Sequence, residues 1–212
     1  MPPLAKVFEK ILSFQITDFF NSTNLFNDNQ HGFRNCHSCE TTLHELLSDI
    51  NKSREKSLSS LLLFIDFKKA FDTVDSNLLL TKLFHYGFDT DALLLVANYF
   101  KDRNQITKFG NTFSEPKCVS LGVPQGSILG PLFFLIFIND LSFHVKDLKC
   151  KLFADDTTFY HEDKDISYLT KEFSSRVKPL FEWCFKNKID INFTKTFAMF
   201  ITNSISVLPE IL

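Results

Sequence analysis

Two places in the chain put carboxylates where a folded protein rarely leaves them. Asp66 closes the continuous apolar run Leu61-Leu62-Leu63-Phe64-Ile65, and Asp155-Asp156 stands between Leu152-Phe153 and Thr157-Thr158-Phe159-Tyr160. An Asp in or beside a buried strand is costly unless it is paired or bound to a metal. Adjacent acids in a tight hairpin raise one another's pKa, and a divalent cation is the usual compensation. Each Asp could equally end its strand or open a turn. If the end of the first strand lies beside the tip of the hairpin, three carboxylates converge on one point. That is a ligand set for hard cations such as Mg²⁺, completed by phosphate oxygens of a substrate. Two such ions about 4 Å apart activate an attacking oxygen and stabilise a leaving one in an in-line phosphoryl displacement. Gly122, Gly126 and Gly130 leave the backbone unhindered around Val123-Pro124-Gln125, so a flat ligand can approach closely. Gln125 offers both a donor and an acceptor to a sugar or base edge. The same loop could be punctuation before a helix.

The elements that must hold these groups follow from periodicity. Apolar residues from Leu4 to Phe20 recur at helical spacing, Asn21 to Gly32 is a polar loop, and Thr41 to Lys52 is a second amphipathic helix with Leu43, Leu46, Leu47 and Ile50 on one face. Leu61 to Ile65 is a strand buried on both faces. Asp75-Ser76 caps a helix that Gly87 stops. Asp89 to Asp102 forms another, with Leu93, Leu94, Val96, Ala97 and Phe100 inward. Gln105 to Phe109, Gly110-Asn111 and the chain from Thr112 make a hairpin. Ser127 to Asn139 is a very apolar helix, and Lys149 to Phe153 with Thr157 to Tyr160 form a second hairpin around Ala154-Asp155-Asp156. Asp165 to Lys188 is a long amphipathic helix; short strands at Ile189 to Ile191 and Phe197 to Ile201 follow. The sum is α+β, a small and mainly antiparallel sheet backed by helices.

With 212 residues, the chain buries roughly 70% of its unfolded surface and needs no covalent staple. Its 26 Phe against one Trp and four Tyr mean that rings without polar handles fill the core. The net charge of −2 excludes a uniformly basic nucleic-acid coat, so any nucleic acid must meet a local groove. The longest apolar run, Ile128 to Ile138, is about half the roughly 20 residues that span a bilayer. The N-terminus has scattered charges and no secretory signal pattern, and five widely spaced cysteines fit a reduced intracellular compartment, nuclear or cytoplasmic. Membrane association is not expected.

Four stretches together carry a resemblance. LFIDFKKAFDTVD (63–75), GVPQGSILGPLFFLIFINDL (122–141), KLFADDTTFY (151–160) and WCFKNKIDINFTKT (183–196) resemble, in order, motifs A to D of reverse transcriptases. NQHGFRNCHSCETTL (29–43) is similar to the fingers motif before them, and PPLAKVFEKIL to the segment upstream. The likeness is strongest to non-long-terminal-repeat (LINE-type) retrotransposon polymerases and runs from about residue 3 to 202. It implies a right-hand polymerase fold, with fingers at 1–60 and 74–126, an antiparallel palm sheet backed by helices at 61–73 and 127–202, and a tail at 203–212 leading to an absent thumb.

The resemblance also implies roles. Asp66 and Asp155 become the carboxylates shared by two Mg²⁺ ions, with Mn²⁺ as an alternative; Asp156 is a more peripheral third, and the Phe67 carbonyl a further ligand. Phe71 falls where an aromatic ring excludes a 2′-OH, while Lys69 and Ala70 lie where the backbone passes the triphosphate. Gln125 lies against the nascent base pair. Lys195, with Asn192 and Thr196, matches the lysine that protonates pyrophosphate, and Arg34 clamps triphosphate or template. Lys101, Arg103, Lys108 and Lys117 could line the template path. The partners are an RNA template, a DNA primer and dNTP.

The pattern has departures. Cys36 and Cys39 stand where the family has Gly and Thr, and Cys36-His37-Ser38-Cys39 lacks the second spaced pair of a structural zinc site. No endonuclease segment precedes the fingers, so the chain reads as a truncated copy of a longer polyprotein, with little extension activity expected in isolation. Two other functions remain open: a non-catalytic remnant that binds nucleic acid or a partner protein, and an RNA-templated RNA polymerase.

Overall fold

The computed structural model describes residues 3–202; the expected tail at 203–212 lies outside them. The chain divides into two compact units, one built from the chain up to Phe19 with Lys69–Phe137, the other from Phe20–Lys68 with the chain from Ile138 on.

In chain order the elements are α1 (Pro3–Ser22), α2 (Cys39–Glu55), β1 (Ser59–Ile65), a 3-10 turn at Ala70–Asp72, α3 (Ser76–His85), α4 (Thr90–Phe100), β2 (Asn104–Gln105), β3 (Lys108–Phe109), β4 (Thr112–Phe113), β5 (Lys117–Cys118), α5 (Leu129–Ile138), α6 (Leu141–His144), β6 (Lys149–Phe153), β7 (Asp156–Asp163), α7 (Ile166–Arg176), α8 (Lys178–Asn187) and β8 (Phe197–Ile201).

The second unit carries a four-stranded antiparallel sheet in the order β6-β7-β1-β8. Its two central strands are β1, expected from its continuous apolar run, and β7, expected as an arm of the second hairpin. Leu61 and Leu62 on β1 and Phe159 on β7 are almost wholly buried, because β1 has neighbours on both edges and helices behind it. Leu46 and Ile50 of α2 pack with Leu62 and Tyr160 on one sheet face, and Tyr160 donates to Asp49 at 2.7 Å. Burial and that carboxylate push the Tyr160 phenol far up. Ser38 starts α2 with a reciprocal capping box to Thr41. Leu43 and Leu47, expected on the buried face of α2, are exposed. The periodicity marks an apolar stripe wider than the strip the sheet covers.

The expected continuous helix from Asp165 to Lys188 is broken into α7 and α8 at Val177. Pro179 supplies the reason. It lacks the N–H that would bond one turn back and its ring collides with that turn's carbonyl, yet it suits the first turn of a new helix. The residues at 189–191 form a single antiparallel bridge, Phe67 to Ile191, rather than a strand.

In the first unit, α5 is buried on all sides, as a helix apolar around its whole circumference must be. Asp75 and Asp89 cap α3 and α4 through their carboxylates, and Gly87 ends α3 with φ +95°. On α4, Val96 is buried while Leu94 is exposed. Two short ladders, β2–β5 and β3–β4, make the hairpin expected around Gly110-Asn111. Among the described residues no helix is long and apolar enough to cross a membrane.

Candidate active site

The register of the sheet brings the predicted carboxylates to one end of it. Ile65 lies opposite Thr157, so the next step along each strand sets Asp66 beside Asp156, and Phe153 pairs with Asp156 across the two-residue turn Ala154-Asp155. Opposed residues of an antiparallel pair lie about 4.5–5.5 Å apart at Cα. The charges of the group are felt at Asp156. Its carboxyl pKa is raised, first by partial desolvation and then by Asp155 and Asp66. The Phe67 carbonyl, expected as a further ligand, is oriented by the bridge of Phe67 to Ile191. The bridge to Ile191 uses the Asp66 carbonyl, which accepts from Asn192 N–H at 2.8 Å, and the Lys68 N–H, which donates to Asp190 at 2.8 Å. Alternation along a strand then turns the Phe67 carbonyl the other way, to the β7 side.

The Asn192–Thr196 turn wraps Asp66. Asn192 Nδ2 donates to Asp66 Oδ2 at 2.9 Å, Lys195 Nζ stands 3.9 Å from Oδ1, and the Asp66 N–H donates to Thr196 Oγ1 at 3.5 Å. Beneath it, the fully buried Trp183 packs near the Phe67 ring and donates from Nε1 to Asp140 at 2.9 Å. The Lys195 side chain itself is two-thirds exposed.

The tip of the β6–β7 hairpin depends on two residues that sequence reasoning missed. Ala154 holds φ +56°, a left-handed conformation costing a non-glycine residue about 1–2 kcal/mol. The buried Gln30 side chain braces it: Oε1 accepts from the Ala154 N–H at 3.0 Å and the Gly32 N–H at 2.7 Å, and Nε2 donates to the Ala154 carbonyl at 3.3 Å. Gly32 lies so close that a Cβ there would fall 2.2 Å from Ala154 N. A buried Gln beside a Gly in a polar loop was the only signal available.

The donor set fits hard divalent cations, all oxygen and largely anionic. Among the described residues no three His, Cys, Asp or Glu side chains form a ready-made cage. Cations such as Mg²⁺ are bound by one or two carboxylates, waters and substrate phosphates rather than by all-protein cages. The repulsion at Asp156 has its own consequence. Because its folded-state pKa stands above the unfolded one, ionised Asp156 destabilises the fold above the carboxylate range. That cost fades in acid, where both states are protonated. Asp156→Asn is expected to raise the melting temperature in chelator at neutral pH by about a degree or two, with no gain in strong acid. A neutral-pH loss, or a gain that pH does not change, would contradict the repulsion.

The remaining predicted site residues lie in the other unit, apart from Arg34. Lys69 is exposed at φ +49°, Ala70 is buried, and Phe71 is half-buried with its ring 4.4 Å from that of Phe134. The Phe71 carbonyl accepts from Val123 N–H at 2.9 Å and the Val74 carbonyl from Gly122 N–H at 2.8 Å. Exposed Gln125 donates to Asp72 at 3.3 Å. Gly122, at φ +83°, is required here because a Cβ would meet the Asp72 backbone at 2.7 Å. Arg34 spends its Nη1 donors on the Asn27 and Gln30 carbonyls and lies over the Phe26 ring, bracing the loop that carries Gln30. Lys101, Lys108 and Lys117 are exposed on the β2–β5 hairpin or just before it, and Arg103 lies over Tyr99.

A family profile described as reverse transcriptase (RNA-dependent DNA polymerase) matches residues 1–209. The chain is 28% identical over 200 residues to a probable RNA-directed DNA polymerase from transposon BS of Drosophila melanogaster, covering 91% of this chain and 22% of that one. It is 25% identical over 218 residues to the RNA-directed DNA polymerase from mobile element jockey of the same species, covering 100% and 24%. It therefore spans about a quarter or less of these relatives. Among solved structures, the fold is similar to apo telomerase from Candida tropicalis truncated from the C-terminal domain, with TM-score 0.66, 14% identity, and 95% of this chain and 42% of that one covered. Telomerase from the same organism with a fragment of telomeric RNA gives TM-score 0.63 at 15% identity, covering 89% and 33%.

Proposed function

Because this chain belongs to the reverse transcriptase (RNA-dependent DNA polymerase) family, we propose that it carries the catalytic centre of a retroelement polymerase. In this reading it joins dNTP to a DNA primer 3′-OH on an RNA template by two-metal nucleotidyl transfer. The observation that carries the proposal is the β1–β7 register, which sets Asp66 beside Asp156 at the hairpin holding Asp155.

Asp66, Asp155, Asp156 and the Phe67 carbonyl would hold Mg²⁺ or Mn²⁺. When bound, the ions supply activation of the attacking oxygen and stabilisation of the leaving one. The chain's own part is positioning and charge. Asn192 orients Asp66 by its 2.9 Å hydrogen bond. Lys195, 3.9 Å from Asp66, holds a proton for the leaving pyrophosphate and offsets the charge that develops there. The Phe71 ring, backed by Phe134, sets the floor under the incoming sugar and rejects a 2′-OH. Gln125, held by Asp72, presents the rest of its amide to the nascent pair. Lys101, Arg103, Lys108 and Lys117 face template phosphates, and Lys69 and Ala70 border the triphosphate.

The test is equilibrium binding of dNTP to the purified chain with and without Mg²⁺, in competition with NTP. Mg²⁺-dependent binding that prefers dNTP supports the proposal; preference for NTP points to RNA synthesis. RNA binding with no nucleotide affinity identifies a non-catalytic, nucleic-acid-binding role. Asn192→Ala leaves every carboxylate in place but frees Asp66 Oδ2. It is expected to weaken Mg²⁺-dependent dNTP binding about 10–100-fold, the usual worth of a partner behind a metal ligand. Unchanged affinity would remove Asn192 from the site.

A further inference from the structure

His31 is 1% exposed although its ring carries two polar nitrogens. Nδ1 lies 3.0 Å from Thr41 Oγ1 in the first turn of α2. Nε2 lies 3.4 Å from Glu45 Oε2 and makes no hydrogen bond there. Both neighbours are committed elsewhere. The Thr41 hydroxyl donates to the Ser38 carbonyl at 2.8 Å and accepts from the Ser38 N–H at 2.9 Å. Glu45 Oε2 accepts from Lys151 Nζ on β6. The backbone of His31 ties it to the same strand: its N–H donates to the Leu152 carbonyl at 2.8 Å, and Leu152 N–H donates to the Asn29 carbonyl at 2.9 Å. Gln30 and Gly32, on either side of His31, are the residues that brace Ala154 and the turn holding Asp155.

Such a place suits a neutral imidazole and not a charged one. The basic groups that face it are Lys151 from β6, Arg34 from the loop, and His37, whose ring centroid is 5.0 Å away. The carboxylate that faces it is Glu45 of α2, whose charge Lys151 already answers. Burial lowers the His31 pKa below the ordinary 6.5, Glu45 opposes that shift, and His37, Lys151 and Arg34 add to it. Released from the fold, the ring would titrate at about 6.5. The closed segment is therefore fully favoured above that pH. It loses ground as pH falls, until the folded ring itself takes up the proton.

We propose that His31 is a positioning residue: its neutral ring pins residues 29–32 against β6, and in acid the segment lifts, withdrawing the Gln30 brace from the Ala154–Asp155 turn. That the loosened turn costs nucleotide binding rests on the polymerase reading; the lifting of the segment does not. His161, further along β7, has its pKa lowered in the same sense, by burial first and then by Arg176. It weakens the fold as a whole in acid, so the local effect is read against a global one.

The experiment measures amide hydrogen exchange by NMR on the purified, metal-free chain at about pH 7 and about pH 5.5, either side of the ordinary His value. The Ala154 N–H, which Gln30 Oε1 accepts, is expected to lose protection severalfold in acid. The ceiling is about eightfold for one group that titrates at about 6.5 when released. The Leu62 amide, in the middle of β1, reports the whole fold and should change less. His31→Phe keeps a planar ring without a charge; it should abolish the extra loss at Ala154 and leave the Leu62 response. Lys151→Met frees Glu45 to serve an imidazolium, so it should blunt the loss at Ala154, and it tests the same point if His31→Phe folds poorly. Over the same pH range, Mg²⁺-dependent dNTP binding by the parent should weaken severalfold relative to His31→Phe. The proposal is overturned if Ala154 protection ignores pH, falls equally in the parent and both variants, or falls no further than that of Leu62. Failure of the polymerase reading would appear separately, as no Mg²⁺-dependent dNTP binding at either pH with the Ala154 response intact.

Discussion

Asp155→Asn is expected to weaken Mg²⁺-dependent dNTP binding by more than about 100-fold, since residues that merely support a metal ligand are already worth about 10–100-fold. The substitution keeps the size and hydrogen-bonding reach of the side chain, and Asp155 sits in a turn whose conformation Ala154 and Gln30 determine. The chain should therefore fold and melt almost as before. Loss of one carboxylate also removes a charge that raises the pKa of Asp156, so a small gain in metal-free stability should accompany the loss of binding. Circular dichroism and nucleotide titration on the same sample separate the two. A variant that binds Mg²⁺·dNTP within about threefold of the parent would deny Asp155 any part in holding the ions, given how large a ligand's share must be.

Gly32→Ala is expected to be nearly as damaging from a place without a titratable group. The added carbon falls 2.2 Å from Ala154 N and 2.9 Å from its Cα, both backbone atoms that no rotamer change can move aside. Either the 30–32 loop retreats, breaking the Gln30 bonds to Ala154, or the turn shifts and takes Asp155 with it. Lost buried hydrogen bonds of this kind cost about 1–3 kcal/mol, and a displacement of about 1 Å at a catalytic group costs on the order of 100-fold. Lower melting temperature together with lost nucleotide affinity is the expected pair. Gln30→Ala should give a weaker version of both. Full activity in Gly32→Ala would mean that the brace is dispensable.

The parts of the molecule legible in its sequence are those in which a residue type has one physical use. Asp66 after five apolar residues, and the acid doublet inside a hairpin pattern, were conspicuous because burying charge is expensive; β1, β6 and β7 followed from the same runs. Asp75 and Asp89 announced their helices as caps. Elsewhere periodicity named an apolar stripe without naming what covers it. On α1, Leu4, Phe8, Ile11 and Phe14 are exposed while Ile16 and Phe20 are buried, and no local pattern distinguishes them. The Pro179 ring alone marks a break, but the apolar spacing on either side of it is that of one continuous helix. The brace from Gln30 to Ala154 spans 124 positions. Nothing local encodes such a contact, since it depends on where β6 returns in space. The same holds for the Asp72–Gln125 bond, which needs the 3-10 turn and the 122–125 loop brought together.

In the proposed centre Asp66 and Asp155, from distant parts of the chain, serve the same ions. Electron paramagnetic resonance of Mn²⁺ titrated into the chain with dNTP measures this directly. The expected result is bound Mn²⁺ that is lost alike on Asp66→Asn and on Asp155→Asn, with no further loss in the double variant. Mn²⁺ binding that either single substitution leaves intact, or losses that simply add, would contradict a shared site.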